Sequence, residues 1–67
     1  MIAAAEHRQI SVIVPALNES AHISATLASL QSMRSRGHEV IVIDGGSSDA
    51  TPSLAGPSAD RVIISER

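Results

Sequence analysis

The stretch EVIVIDGGSSDAT, residues 39–51, decides the fold. Four β-branched residues, Val40, Ile41, Val42 and Ile43, run straight into the carboxylate Asp44. Gly45, Gly46, Ser47 and Ser48 follow, then a second acid, Asp49, and Thr51. A short, wholly apolar run of this kind reads as a strand inside a parallel sheet. A sheet that needed only to stop could use almost any turn. An acid at the carboxyl end of such a strand is an acceptor fixed on a rigid element, at the edge where open α/β sheets bind ligands. The glycines lack a Cβ and let a ligand or backbone come close.

Upstream, residues 10–14 (ISVIV) read as a first strand, closed by Pro15. Nearly all of it is apolar, so burial on both faces is expected. A polar turn, ALNES, follows, with Ser20 as a candidate N-cap. Ile23, Leu27, Leu30 and Met33 then recur at helical spacing, predicting one helix of about four turns with Met33 in the core. Arg34 and Arg36 suit the negative end of its dipole, and Gly37 ends it. Downstream, Thr51 before Pro52 suits an N-cap and first helical position. That helix must be short, because Gly56 and Pro57 interrupt it, and residues 61–65 (RVIIS) form a third strand. Strand, helix, strand, helix, strand is a Rossmann-like βαβαβ parallel sheet, half of a doubly wound α/β fold. Such a unit is an incomplete domain, either a fragment or a piece completed by a partner. Residues 1–9 are expected to be a loose N-terminal tail, and residues 10–67 carry the fold.

Composition narrows the function classes. The chain has 67 residues, 43% of them hydrophobic, without Phe, Tyr or Trp. A chain this short buries only about 60% of its unfolded surface, and without aromatics its core is thin. The net charge is −2 and the five basic residues are scattered arginines, so no basic stripe offers a nucleic-acid footprint. The absence of cysteine excludes disulfides, thiolate metal sites and cysteine nucleophiles. No segment approaches the roughly 20 apolar residues of a membrane span, and the opening residues do not form a secretory signal. A cytoplasmic polypeptide is the expectation. His7, His22 and His38 lie far apart with no ligand spacing and read as solvated surface.

Three phosphate-handling or nucleophilic motifs are excluded. The turn after the first strand has no glycine, so it cannot be a dinucleotide fingerprint. The chain has no lysine for a P-loop, and no G-x-S-x-G elbow. What remains is a nucleotide site read through carboxylates and backbone groups.

SVIVPALNES followed some thirty residues later by VIVIDGGSSDAT resembles the start of family 2 glycosyltransferases, which have the GT-A fold. Ser11, Val12, Ile13, Pro15, Asn18 and Glu19 match the first motif of that family, and Asp44, Gly46, Ser47, Asp49 and Thr51 match the second. The resemblance implies that residues 10–67 are the N-terminal portion of a GT-A domain that binds a nucleotide-sugar donor, commonly a UDP-sugar. The full-length family transfers the sugar to an acceptor hydroxyl with inversion. The nucleotide-binding residues it implies here are Pro15, Leu17, Glu19, Asp44, Gly45 and Gly46. The family's usual second acid after the strand is Gly45 in this chain, the V-D-G-G-S variant of a bacterial subgroup.

No D-x-D metal motif occurs in the sequence, and no catalytic base can be assigned. A divalent cation, Mg or Mn, is expected for the full-length family, with no metal ligand and no cofactor in this chain. Taken alone the chain is expected to be inactive. Asn18 is expected to fix its turn through its own backbone, and Asp49 to cap the short helix. Asp44 has the simpler reading of an acid closing the next turn through an Asx motif. Two rivals remain: a non-catalytic remnant that self-associates through open sheet edges, and a Rossmann-like methyltransferase unit with DGGSSD as its cofactor loop.

Overall fold

Valine and isoleucine crowd the backbone at Cβ and favour extended conformations, and the three runs of them pair as parallel strands. The computed structural model describes residues 9–65. Along the chain it contains β1 (Ser11–Ala16), α1 (Ile23–Ala28), α2 (Gln31–Ser35), β2 (Glu39–Asp44), α3 (Thr51–Ala55), a 3-10 turn (Gly56–Ser58) and β3 (Arg61–Ile64). The sheet order is β1-β2-β3, both pairs parallel, with Val12 opposite Val40, Val14 opposite Val42 and Ala16 opposite Asp44. The expected βαβαβ unit is therefore present. Of the expected tail, residues 1–8 lie outside the described residues. Gln9 donates its side-chain amide to the Gly37 carbonyl at 3.3 Å.

Pro15 does not end β1 but lies within it, opposite Ile43. The carbonyls of Ile10 and Ala16 accept from Glu39 N and Gly45 N, so the even-numbered residues of β1 face β2. Pro15 faces the open edge, where a missing N–H costs the ladder nothing.

Right-handed crossovers stepping twice in the same direction put both helical segments on one face of the sheet. The core lies there: Ala16, Val40 and Val42 pack against Ile23, Leu27, Ala55 and Ala59, with Val12, Val14, Leu30 and Val62 half-buried around them. Burial of β1 on both faces is thus not found. Ser11, Ile13 and Pro15 point away from the helices and are exposed, Ile13 to 54%. Ile63 of β3 shares that face and is 38% exposed, while Ile41 between them is buried. The apolar pattern marks two faces, but this chain supplies a layer for only one.

The single helix predicted over the Ile23–Met33 stripe is two short helices broken at Ser29 and Leu30. Leu30 N bonds back to the Leu27 carbonyl in a tighter, 3-10 manner. The Gln31 side-chain amide bridges that same carbonyl and the carbonyl of Ser58, at 2.9 Å each. The break lets Gln31 tie the helical layer to the turn before β3. Met33 is half-buried rather than core. Gly37, with φ 92°, ends α2, and His38 N reaches back to the Met33 carbonyl. His38 is not merely solvated, since its Nδ1 accepts from Ile10 N at 3.0 Å.

At the amino edge of the sheet, Asp60 accepts from Val40 N at 2.7 Å and from the Arg34 guanidinium at 3.2 Å through both oxygens. The Val40 amide, and then Arg34, hold its carboxyl below the usual aspartate value.

Leu27 is wholly buried at the centre of a thin core, whereas Leu54 is 41% exposed. Leu27→Ala is expected to cost about 2–5 kcal/mol, and Leu54→Ala no more than about 0.5 kcal/mol. Urea unfolding followed by circular dichroism measures both; equal losses would contradict this placement of the core.

Candidate functional site

At the carboxyl edge of the sheet, the loop after β1 and the loop after β2 lie side by side. Gly45 N donates to the Ala16 carbonyl at 2.9 Å, which continues the ladder one residue past the strands. Asn18 N donates to Ser47 Oγ at 2.8 Å, and Asn18 Oδ1 accepts from Ser48 N at 2.9 Å. Glu19 N donates to Thr51 Oγ1 at 2.8 Å, and Ser20 N to Asp49 Oδ2 at 3.2 Å. Three successive residues of one loop are thus held by side chains of the other.

Asp44 closes β2 on the helix side and is 0% exposed. A buried carboxylate needs donors, and its own loop provides them. Oδ2 accepts from Gly46 N at 3.0 Å and Ser47 N at 2.7 Å, while the Ser47 hydroxyl donates to Oδ1. The Ser47 hydroxyl, then the Ser47 amide, hold the Asp44 carboxyl below its ordinary value, against the opposing effect of burial. The Asx-type turn anticipated for Asp44 is present. Gly46 pivots it with φ 97°.

The other residues singled out from sequence divide by exposure. Leu17, Glu19, Gly45 and Gly46 are exposed. Leu17 and Gly45 are neighbours: a Cβ on Gly45 would lie 3.8 Å from Leu17 Cδ1 and 3.7 Å from the Ala16 carbonyl, ordinary contacts. Positive φ, one explanation for paired glycines, applies to Gly46 and not to Gly45. Glu19 lies 3.9 Å from His22 Nδ1, its side chain 52% exposed. Pro15 is exposed on the opposite face of the sheet from Asp44. The ledge presented at this edge is Leu17, Glu19 and the Gly45–Gly46 backbone, with Asp44 beneath it.

Asp49 stands one residue ahead of Ala50, the N-cap of α3, and accepts from Thr51 N at 3.0 Å and from the Thr51 hydroxyl. Those bonds, the hydroxyl's first, bring its carboxyl down to about 2. Two expected caps are displaced. Ser20 precedes α1, which begins at Ile23 with no side-chain cap, and its amide serves Asp49 instead. Thr51 is the first residue of α3, not its N-cap, because its hydroxyl joins Asp49 to the Glu19 amide. Asn18 does not bond within its own turn, as its sequence setting predicts, but to the opposite loop, with its backbone at φ 51°. Asparagine tolerates that left-handed conformation better than most residues. An asparagine in a glycine-free reversal was the signal available for this.

Among the described residues no group of three His, Asp or Glu side chains could hold a metal ion. The oxygens of Asp44 and Asp49 already accept from amides and hydroxyls. The described residues do not fit the divalent cation expected of the full-length family. No helix among the described residues is long and apolar enough to cross a membrane.

A parallel α/β unit with paired polar loops at its carboxyl edge is the opening of a GT-A-like domain. Residues 11–67 match the model of "Glycosyl transferase family 2", and the chain belongs to that family. It is 41% identical, over 66 residues, to glucosyl-3-phosphoglycerate synthases of Mycobacterium tuberculosis and Mycobacterium bovis, covering 97% of this chain and 20% of each relative. The crystal structure of the M. tuberculosis synthase superimposes with a TM-score of 0.79 at 41% identity, over 92% of this chain and 23% of that one. A crystal structure described as that of a mycobacterial protein gives 0.80 at 36% identity, over 92% and 21%. The chain thus spans about a fifth of the length of the relatives it matches. Family membership removes the methyltransferase-like alternative.

Gly46→Ala is expected to cost about 1–2 kcal/mol, the strain of a side chain at positive φ, while Gly45→Ala changes stability by no more than about 0.5 kcal/mol. Chemical denaturation of the two variants tests this; a Gly45→Ala loss as large as that of Gly46→Ala would contradict the loop geometry.

The carboxyls of Asp44, Asp49 and Asp60 are all lowered on folding. The unfolded chain therefore binds more protons in acid, and the stabilisation is complete only above the unfolded value of 3.8. The urea midpoint should fall as pH drops from there towards about 2. A midpoint unchanged across that window would show that these carboxylates are not held as described.

Proposed function

We propose that residues 10–67 are the N-terminal, nucleotide-binding portion of an inverting GT-A glycosyltransferase domain, with a nucleotide-sugar, in the first instance a UDP-sugar, as donor. The observation that carries this reading is the pairing of the two family-matched loops at the carboxyl edge of the sheet. Open α/β sheets bind ligands in that position. Leu17 offers an apolar surface to a base, Glu19 an acceptor to the nucleoside, and the Gly45–Gly46 backbone close approach. Asp44 holds the glycine loop from below, and Pro15 shapes the entry to its neighbour. The name shared by the mycobacterial relatives makes a glucosyl group the sugar to test first. By itself the chain binds donor without transferring sugar, since it has neither a D-x-D motif nor an assigned base.

A two-dimensional amide NMR titration with UDP and with UDP-glucose, with and without manganese, tests the reading. Shifts should be confined to residues near 17–19 and 44–47. A dispersed spectrum that does not move on addition of either ligand would sink it.

The exposed isoleucine face supports a second, compatible property: weak association with another copy of this chain. Two strands of six residues and one of four present a face of at most about 14 by 20 Å. That is far below the roughly 800 Å² per partner of a stable complex, so the contact should be transient and concentration-dependent. Ile13→Thr should weaken it in light scattering; a monodisperse monomer at every concentration would exclude it.

A further inference from the structure

We propose that Asp49 is a positioning residue for the nucleotide ledge, setting the loop that carries Leu17 and Glu19 by holding two consecutive amides from across the cleft. This deepens the nucleotide-binding reading above and rests on it.

The geometry is a relay. Asp49 Oδ2 accepts directly from Ser20 N. Asp49 Oδ1 accepts from the Thr51 hydroxyl and from Thr51 N. A threonine hydroxyl has one proton to donate. Committing that proton to Asp49 turns the oxygen's lone pairs outward, and one of them accepts from Glu19 N. One carboxylate therefore holds the Ser20 amide itself and the Glu19 amide through Thr51. The Glu19 carbonyl is engaged on the other side, accepting from His22 N and Ile23 N ahead of α1. With its amide and its carbonyl both engaged, the Glu19 backbone is held in place, which sets where its side chain leaves the loop.

The other two aspartates with lowered carboxyls do different work. Asp44 bonds within its own loop, and Asp60 joins α2 to β2 at the opposite edge of the sheet. Among these three, only Asp49 joins the two loops that form the ledge. Thr51 is wholly buried, so its hydroxyl has no water to turn to if Asp49 is removed.

The test uses the whole chain and four variants, Asp49→Ala, Asp49→Asn, Thr51→Val and Thr51→Ser, each measured by amide exchange and by UDP titration. Asp49→Ala should free the Glu19 and Ser20 amides and Thr51→Val the Glu19 amide, with protection at Val40 and Val42 unchanged. Asp49→Asn keeps the oxygen that faces Thr51 and should free Ser20 alone. The dissociation constant for UDP should rise about five- to tenfold in Asp49→Ala and Thr51→Val, the loss expected of one or two loop hydrogen bonds. Thr51→Ser retains the hydroxyl and should restore both readouts. Where Asp49→Ala fails to fold, the Thr51→Val and Thr51→Ser pair decides. Freed loop amides with UDP affinity unchanged would reduce Asp49 to a structural role and overturn the proposal. So would loop amides that stay protected in the variants. A wild-type chain that binds no UDP sinks the nucleotide reading itself, a result seen before any variant is compared, and the positioning role falls with it.

Discussion

A carboxylate buried at the end of a central strand must be given hydrogen-bond donors, and the rest of this edge follows from how Asp44 obtains them. It is inaccessible to solvent, and its partners are the amides of Gly46 and Ser47 and the Ser47 hydroxyl. To aim two successive amides at one oxygen the chain must turn sharply, and Gly46 takes positive φ to do so. That turn leaves Ser47 Oγ able to accept from Asn18 N while its proton goes to Asp44. The loop after β1 is thereby bonded to the loop after β2, and Asp49 and Thr51 secure it one turn further on. Removing a single partner from such a network leaves a buried charge under-satisfied, which costs more than the bond itself contributes.

The same chain is far less constrained on the opposite face of its sheet. Two crossovers in one direction place every described helix on one side, and alternation along each strand assigns valines to that side. Ile13, Ile41, Ile43, Ile63 and Pro15 take the other, where Ile13 and Ile63 remain substantially exposed. The two faces thus differ in side chain as well as in cover. The covered face is small enough that Leu27, Val40 and Val42 dominate it.

Much of this was legible in the sequence. Three β-branched runs, a helical stripe and the glycine–proline breaks fixed the element order, because each signal is local and periodic. Asp44 as the last strand residue was likewise a local fact. The misreadings share one cause. Local pattern ties Ser20, Thr51 and Asn18 each to the nearest backbone, where such residues usually bond. In the structure all three bond across to partners twenty-nine or more residues away. Periodicity carries no information about which loop faces which. The division of the helical stripe was hidden for a similar reason, since the carbonyl of Ser58 that engages Gln31 belongs to a distant turn. Burial of β1 on both faces differs in kind: a nearly continuous apolar run shows that both faces can be covered, not that this chain covers them.

Set side by side, the acids at the carboxyl edge show a division of labour. Asp44 and Asp49 accept from neighbouring amides and hydroxyls at both oxygens, and those bonds keep both ionised. Each carboxylate already accepts three hydrogen bonds of the roughly four it can take, and Asp44 is wholly buried, so little capacity is left for a ligand. Glu19 is different. Its backbone is held on both sides, but its carboxylate stands over the edge, half-exposed, with only the 3.9 Å approach of His22 beside it. A ligand meeting this ledge would therefore find one available carboxylate, one apolar side chain in Leu17 and a stretch of bare glycine backbone. The second acid usual after this strand in the family is replaced by Gly45, where a Cβ would meet only ordinary contacts. Nothing in the packing forbids a side chain there. The glycine leaves the space beside Leu17 open, so this edge presents Glu19 and backbone where a second acid would otherwise stand.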